Sequence, residues 1–143
     1  MSAIILANGS TTLVLNGTII DDLLEGENVM LTPVNPATSQ TNGINGAVNI
    51  NERSDRHVHD VTVRVMKFSD SDVFLNTALN QSPPTLFQGS AKESYTKDGT
   101  QAVESYALEN GSFTAQPPKS VNSTDGSAGM EYVIRFRRGT RNL

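Results

Sequence analysis

The sequence predicts a mainly β domain, a barrel or sandwich flanked by one α-helix and carrying an extended polar arm. Three observations predict it. The stretches "VHDVTVRVMKF" and "MEYVIRFRR" alternate side chains with a period of two. Asn-Gly and Asp-Gly pairs recur between runs of β-forming residues. Only "SDSDVFLNTALNQSPP" carries apolar residues at helical spacing. With 143 residues the chain can bury a real core, and no linker divides it, so one domain over 1–143 is expected.

Residues 1–33 read as short strands broken by turns: "AIIL", "TTLVL", "TIIDDLL" and "VMLTPV", separated by "NGS", "NG" and "EGEN". Residues 34–57, "VNPATSQTNGINGAVNINERSDRH", are rich in Asn, Thr, Ser and Gly. A loop this long is uncommon in a compact domain unless it has a task. Two readings stand at this point: a disordered excursion, or an extended hairpin that orders against a neighbour. In the next strand Val61, Val63 and Val65 share one face.

The helix is expected over about 70–80, with Ser69 as N-cap and Asp72 three residues on. Asp70 and Asp72 suit the positive end of its dipole, and Phe74, Leu75, Ala78 and Leu79 form its apolar stripe. Pro83 and Pro84 stop it. A lid packed on a sheet accounts for such a stripe. A long hairpin then turns at Asp98-Gly99, and a polar loop, "PPKSVNSTDGSAG", follows. In the last strand Met130, Tyr132, Ile134 and Phe136 share one face.

Composition excludes several classes. Cysteine is absent, which removes disulfides and thiolate chemistry. No apolar run reaches membrane-spanning length. The N-terminus lacks the basic region of a signal peptide, so assembly in a cytoplasm, without a membrane anchor, is expected. A net charge of −4 argues against general phosphate neutralisation. The charge is uneven, with four basic and eight acidic residues in 1–71 against seven and seven in 72–143. Either the charges form solvated faces, or the acidic front and basic tail complement each other between copies.

"RHVHDV" (56–61) resembles a metal motif at first sight. On a strand, His57 and His59 share a face while Asp60 points away. A catalytic zinc takes three protein ligands, and the chain has no other histidine. A strand entering the core is the simpler reading. No nucleophile elbow, phosphate loop or dinucleotide fingerprint occurs. Asp21-Asp22 and Glu25/Glu27 sit beside turns and read as solvated. No catalytic, cofactor-binding or metal residue is assigned, no cofactor is expected, and the balance favours an assembly protein over an enzyme.

Four extended segments, "LTPVNPATSQTNG", "VHDVTVRVMKFSDSDVFLNTALNQSPP", "FQGSAKESYTKDGTQAVESYALENGSF" and "MEYVIRFRRGTRNL", together resemble the tail tube proteins of contractile-tailed bacteriophages, of the short type near this length. The resemblance implies a β-barrel or sandwich with a helix, the phage tail tube fold. It implies hexameric rings that stack into a hollow tube inside a contractile sheath, in a virion tail. It implies as partners further copies of the chain, the tail sheath, the tape measure protein, and baseplate and tail terminator proteins, with double-stranded DNA in transient passage.

On this resemblance, 34–57 becomes an arm reaching a neighbouring ring. Asn35, Thr41, Asn42, Asn45, Asn49, Arg53, Arg56, Arg135, Arg137, Arg138 and Arg141 become candidates for contacts between subunits or rings. Glu93, Glu104 and Glu109 become candidates for an acidic lumen, although they do not all share strand parity. The alternatives are a ring of a prophage-derived contractile injection system, a small β-barrel enzyme or metal protein built around His57 and His59, and a monomeric carbohydrate- or peptide-binding module.

Overall fold

The computed structural model describes residues 3–24, 28–118 and 129–143. Within them the strands are β1 (Leu6–Leu15), β2 (Thr18–Ile20), β3 (Val29–Pro33), β4 (Thr38–Asn42), β5 (Val48–Glu52), β6 (His59–Val65), β7 (Phe87–Lys97), β8 (Thr100–Ala115) and β9 (Met130–Asn142), with one helix, α1 (Asp70–Leu79). Seven strands form an antiparallel sheet in the order β2-β1-β7-β8-β9-β6-β3, and β4 pairs with β5 alone. The mainly β prediction with one flanking helix holds.

The core follows the alternation. Val61, Val63 and Val65 of β6, and Tyr132, Ile134 and Phe136 of β9, are all buried, as are Leu13 and Leu15 of β1. Each large apolar side chain so buried stabilises the fold by about 1.5–3 kcal/mol relative to exposure. Helix α1 lays Leu75 and Ala78 onto the same cluster, with Phe74 and Leu79 packed partly against it. Edge-to-face aromatic pairs run from Phe74 to Phe87 to Phe113, at centroid separations of 6.4 and 5.3 Å, and a tilted contact leads on to Tyr132. They tie the helix to three strands.

The helix start is built as its sequence predicts. Ser69 Oγ accepts from the Asp72 N–H at 3.2 Å. Asp72 returns one carboxylate oxygen to the Phe68 N–H at 3.0 Å. Its other oxygen accepts from the Tyr132 hydroxyl at 2.7 Å, which joins the cap to the core. Burial and the Asp72 charge push the Tyr132 phenol well above its ordinary range.

Two expectations for the first third need correction. "NGS" does not separate two strands. Asn8, at φ +56°, sits in a bulge, and β1 continues through it because β7 pairs with both halves. "TIIDDLL" is not one strand either, since β2 stops at Ile20. Asp22 turns instead to α1, where its carboxylate accepts from the Ser71 N–H and Oγ–H, both at 3.3 Å. Glu25, Glu27 and the 119–128 part of the polar loop lie outside the described residues.

A second irregularity crosses three strands. In β8, Glu109 and Asn110 are both exposed between buried Leu108 and Gly111. In β9, Arg137 and Arg138 are both exposed between buried Phe136 and Gly139. Relative to β7, β8 carries one extra residue here, and Asn110 takes φ +55°. Gln88 fixes the site, its Nε2–H donating to Asn110 Oδ1 at 2.7 Å. The outcome is a paired bulge that places Arg137, Arg138 and Glu109 on the sheet face turned from the core.

Candidate assembly surfaces

Three surfaces contain the residues singled out in the sequence. The first is the β4–β5 arm. None of its ten strand residues is buried. Thr41 pairs with Asn49, and Asn42 with Val48. Asn45 lies in the tip, where the Gly43 N–H donates to the Ala47 carbonyl at 2.7 Å. The base is braced within the chain. Asn35 Nδ2–H donates to the Asp55 carbonyl at 3.2 Å, Arg53 makes two hydrogen bonds to the Asp55 carboxylate at 2.9 Å, and Arg56 meets Glu52 at 3.0 Å. The hydrogen bond from Arg53 holds the Asp55 carboxyl below its usual range.

The arm also has apolar content that its polar composition conceals. Val48 and Ile50 share one face and are 50% and 66% exposed, and Ile44 at the tip is fully exposed. The alternation in "AVNIN" is the signal in the sequence that could have revealed it.

The second surface is the end of the sheet beyond the core, where β1, β7 and β8 form a three-stranded tongue. β2 pairs only with Leu13–Leu15 of β1, so among the described residues Leu6–Thr12 form a free edge. On the opposite side, β9 begins pairing with β8 at Ser105, which leaves Thr100–Glu104 free. Glu93 and Glu104 are directly opposed across β7 and β8, in step with Ala91 and Tyr106, and therefore on the core side. Both line a cavity of about 270 Å³, together with Thr11 of β1 and Asn28, Val29 and Leu31 at β3. Arg141 donates two hydrogen bonds to Glu104. A hydrogen bond to Glu93 raises the Tyr95 phenol above its usual range. Glu109 stands on the other face, opposite Arg138.

The third surface is the basic end of β9, which the sequence presents as one block and the sheet divides. Arg135 is clamped by Asp60 at 2.8 and 3.1 Å, and Arg141 belongs to the Glu104 cluster. Arg137 and Arg138 have no ion-pair partner among the described residues.

The histidines are occupied by the fold. His59 Nδ1 lies 2.8 Å from the His57 carbonyl, and the His59 ring meets Tyr106 edge-on at 6.1 Å. Arg56 Nε–H donates to His57 Nε2 at 3.2 Å. Asp60 faces the other way, onto Arg135. Among the described residues no three His, Asp or Glu side chains gather as a metal site.

No protein-family model matches the chain, and no curated protein matches it. Solved structures do match in fold. A chain in the cryo-EM structure of the PVC sheath/tube terminator, from an extracellular contractile injection system in its extended state, superposes with a TM-score of 0.63 at 14% identity, covering 93% of either chain. A chain of the PVC sheath-tube complex gives 0.60 at 12% identity, over 93% of this chain and 88% of that one. A chain of the anti-feeding prophage baseplate gives 0.52 at 10% identity, over 99% and 95%. The likeness in fold spans nearly the whole chain. No helix among the described residues is long and apolar enough to cross a membrane.

Proposed function

We propose that this chain is a non-enzymatic structural subunit of a contractile tail, assembling into hexameric rings that stack as the inner tube. The free edges on opposite sides of the β1–β7–β8 tongue carry this reading. A free edge offers a row of unpaired N–H and C=O groups, which monomeric proteins ordinarily cover. Here Leu6–Thr12 and Thr100–Glu104 point to opposite sides, so one copy's edge can extend the next copy's sheet. A head-to-tail contact of this kind closes into a ring when its rotation closes. The fold likeness to chains of sheath-tube and baseplate assemblies supports the same reading.

The arm then serves ring stacking. A two-stranded hairpin is marginal in water by itself, and Val48, Ile50 and Ile44 give it apolar surface to bury on a neighbouring ring. Arg137 and Arg138 are assigned to contacts between copies. Of the three acidic candidates, Glu109 stands on the face that could border a channel, whereas Glu93 and Glu104 turn to the core side. A net negative subunit disfavours adhesion of passing DNA. Sheath, tape measure, baseplate and terminator proteins are the partners this role requires. A tube subunit of an injection particle is the second reading, favoured by the injection-system origin of two of the three fold matches.

Electron microscopy and light scattering of the purified chain at high concentration test the proposal. Hollow filaments or six-membered rings are expected, formed spontaneously or on a baseplate nucleus. A chain that stays monomeric even with baseplate present contradicts it.

A further inference from the structure

The strand edges and the arm leave one feature of the helix side unused. Phe68 is 85% exposed, and its backbone takes φ +66°. That region is unfavourable for a bulky side chain, and the exposed ring recovers little inside the chain. Lys67 Nζ stands 5.4 Å from the ring centroid. The turn is nevertheless firmly held. The Ser69 N–H and Oγ–H both donate to the Met66 carbonyl, at 3.2 and 2.6 Å, and the Phe68 N–H donates to Asp72. An aromatic held rigidly outward has already met much of the ordering cost of binding, as in an interface anchor.

The other end of α1 offers a matching recess. A groove of about 380 Å³ runs beside its last turn, lined by Phe74, Thr77, Ala78, Gln81, Thr85 and Phe87. None of these side chains is charged. The last turn of α1 also has no basic residue, so the negative end of the helix dipole lacks a cation. Lys67 sits instead beside the helix N-terminus, the positive end, where a cation gains nothing. A cation and an aromatic at one end of the helix thus complement an uncharged, aromatic-floored groove at its carbonyl end.

We propose that Phe68 of one copy seats in the α1 groove of the next copy, with Lys67 set against the carbonyl end of that helix. Knob and groove lie at different ends of the same helix. Two antiparallel copies would satisfy both reciprocally, so it is the stacked-ring reading, not the placement alone, that makes the contact head-to-tail and propagating. The inference rests on the self-assembly reading and adds a contact on the helix side to the strand edges.

The absence of cysteine allows a direct test. Met66→Cys and Gln81→Cys variants are mixed, assembled and treated with a short thiol cross-linker. Cross-linked dimers containing one of each variant are expected in assembled material and not in dilute subunits. In parallel, Phe68→Asn suits the left-handed backbone better than phenylalanine does. It should leave the Tm of the isolated subunit unchanged or raised, while raising the critical concentration for assembly roughly tenfold or more. Tubes that yield no mixed cross-link, or Phe68→Asn tubes forming at the unmodified chain's concentration, overturn the contact while the tube reading stands. Failure of the unmodified chain to assemble even with baseplate present overturns both.

Discussion

Replacing Arg137 and Arg138 together by glutamate separates the stability of the subunit from the stability of the assembly. Each replacement shifts the charge by −2, so the net charge moves from −4 to −8. Neither arginine has an ion-pair partner among the described residues, and both lie on the outer side of the bulge. The main intrachain penalty is a new glutamate at 138 facing Glu109 across β8 and β9. Directly opposed like charges cost about 0.2–1 kcal/mol, and other exposed changes fall within about 0.5 kcal/mol. A destabilisation near 1 kcal/mol lowers Tm by roughly 3–5 °C in a chain of this size. Removing one partner of a buried charge pair between copies costs at least about 2 kcal/mol, which raises the critical concentration about 30-fold. Circular dichroism reads the first quantity, and light scattering with electron microscopy reads the second. A single Arg135→Glu is the control. It sets a glutamate against Asp60 and breaks the clamp at 2.8 Å, so it should lower the Tm of the isolated subunit. Normal tube yield from the Arg137/Arg138 double variant at the unmodified chain's concentration refutes the assignment of this pair to subunit contacts.

Two further outcomes follow from the core. Tyr132→Phe removes the hydroxyl that donates to Asp72 at 2.7 Å and should cost about 1–2 kcal/mol in denaturant unfolding. Because folding raises the Tyr132 pKa, that contribution is present below the unfolded value of about 10 and is lost as pH rises above it. The Tm gap between the two proteins should therefore narrow above about pH 10, and a gap constant to pH 11 contradicts the assigned role. Gly89→Ala would drive a Cβ into the Val14 carbonyl oxygen of the paired strand β1. A destabilisation of about 3 kcal/mol is expected, and an unchanged urea midpoint contradicts the close approach.

Features carried by a single segment were legible in the sequence. The alternation in β6 and β9 names the buried face directly, and the Ser69/Asp72 pair marks the helix start. Turn chemistry was legible only in part. Asn16-Gly17 and Asp98-Gly99 take positive φ and close tight hairpins, whereas Asn8 and Asn110 take the same backbone region inside bulges. The dipeptide specifies the backbone twist. Whether the chain reverses there depends on a partner strand long enough to hold both sides, and β7 is one. Partners distant in sequence were not legible. Asp60 with Arg135 and Glu104 with Arg141 meet only because β6, β8 and β9 are neighbours. For that reason the basic tail, read as one block, divides into two arginines with ion-pair partners and two without one among the described residues. The strain at Phe68 left no trace in the residue pattern, since it depends on the path from β6 into α1.

In the proposed tube, the free edges of the β1–β7–β8 tongue join copies into one continuous sheet around a channel. Cryo-electron microscopy of the assembled filament, at a resolution that traces the backbone, tests this most directly. A six-membered ring is expected in which Leu6–Thr12 of one copy is hydrogen-bonded to Thr100–Glu104 of the next. Filaments in which both segments remain exposed to solvent, or are covered by a different element, would contradict it.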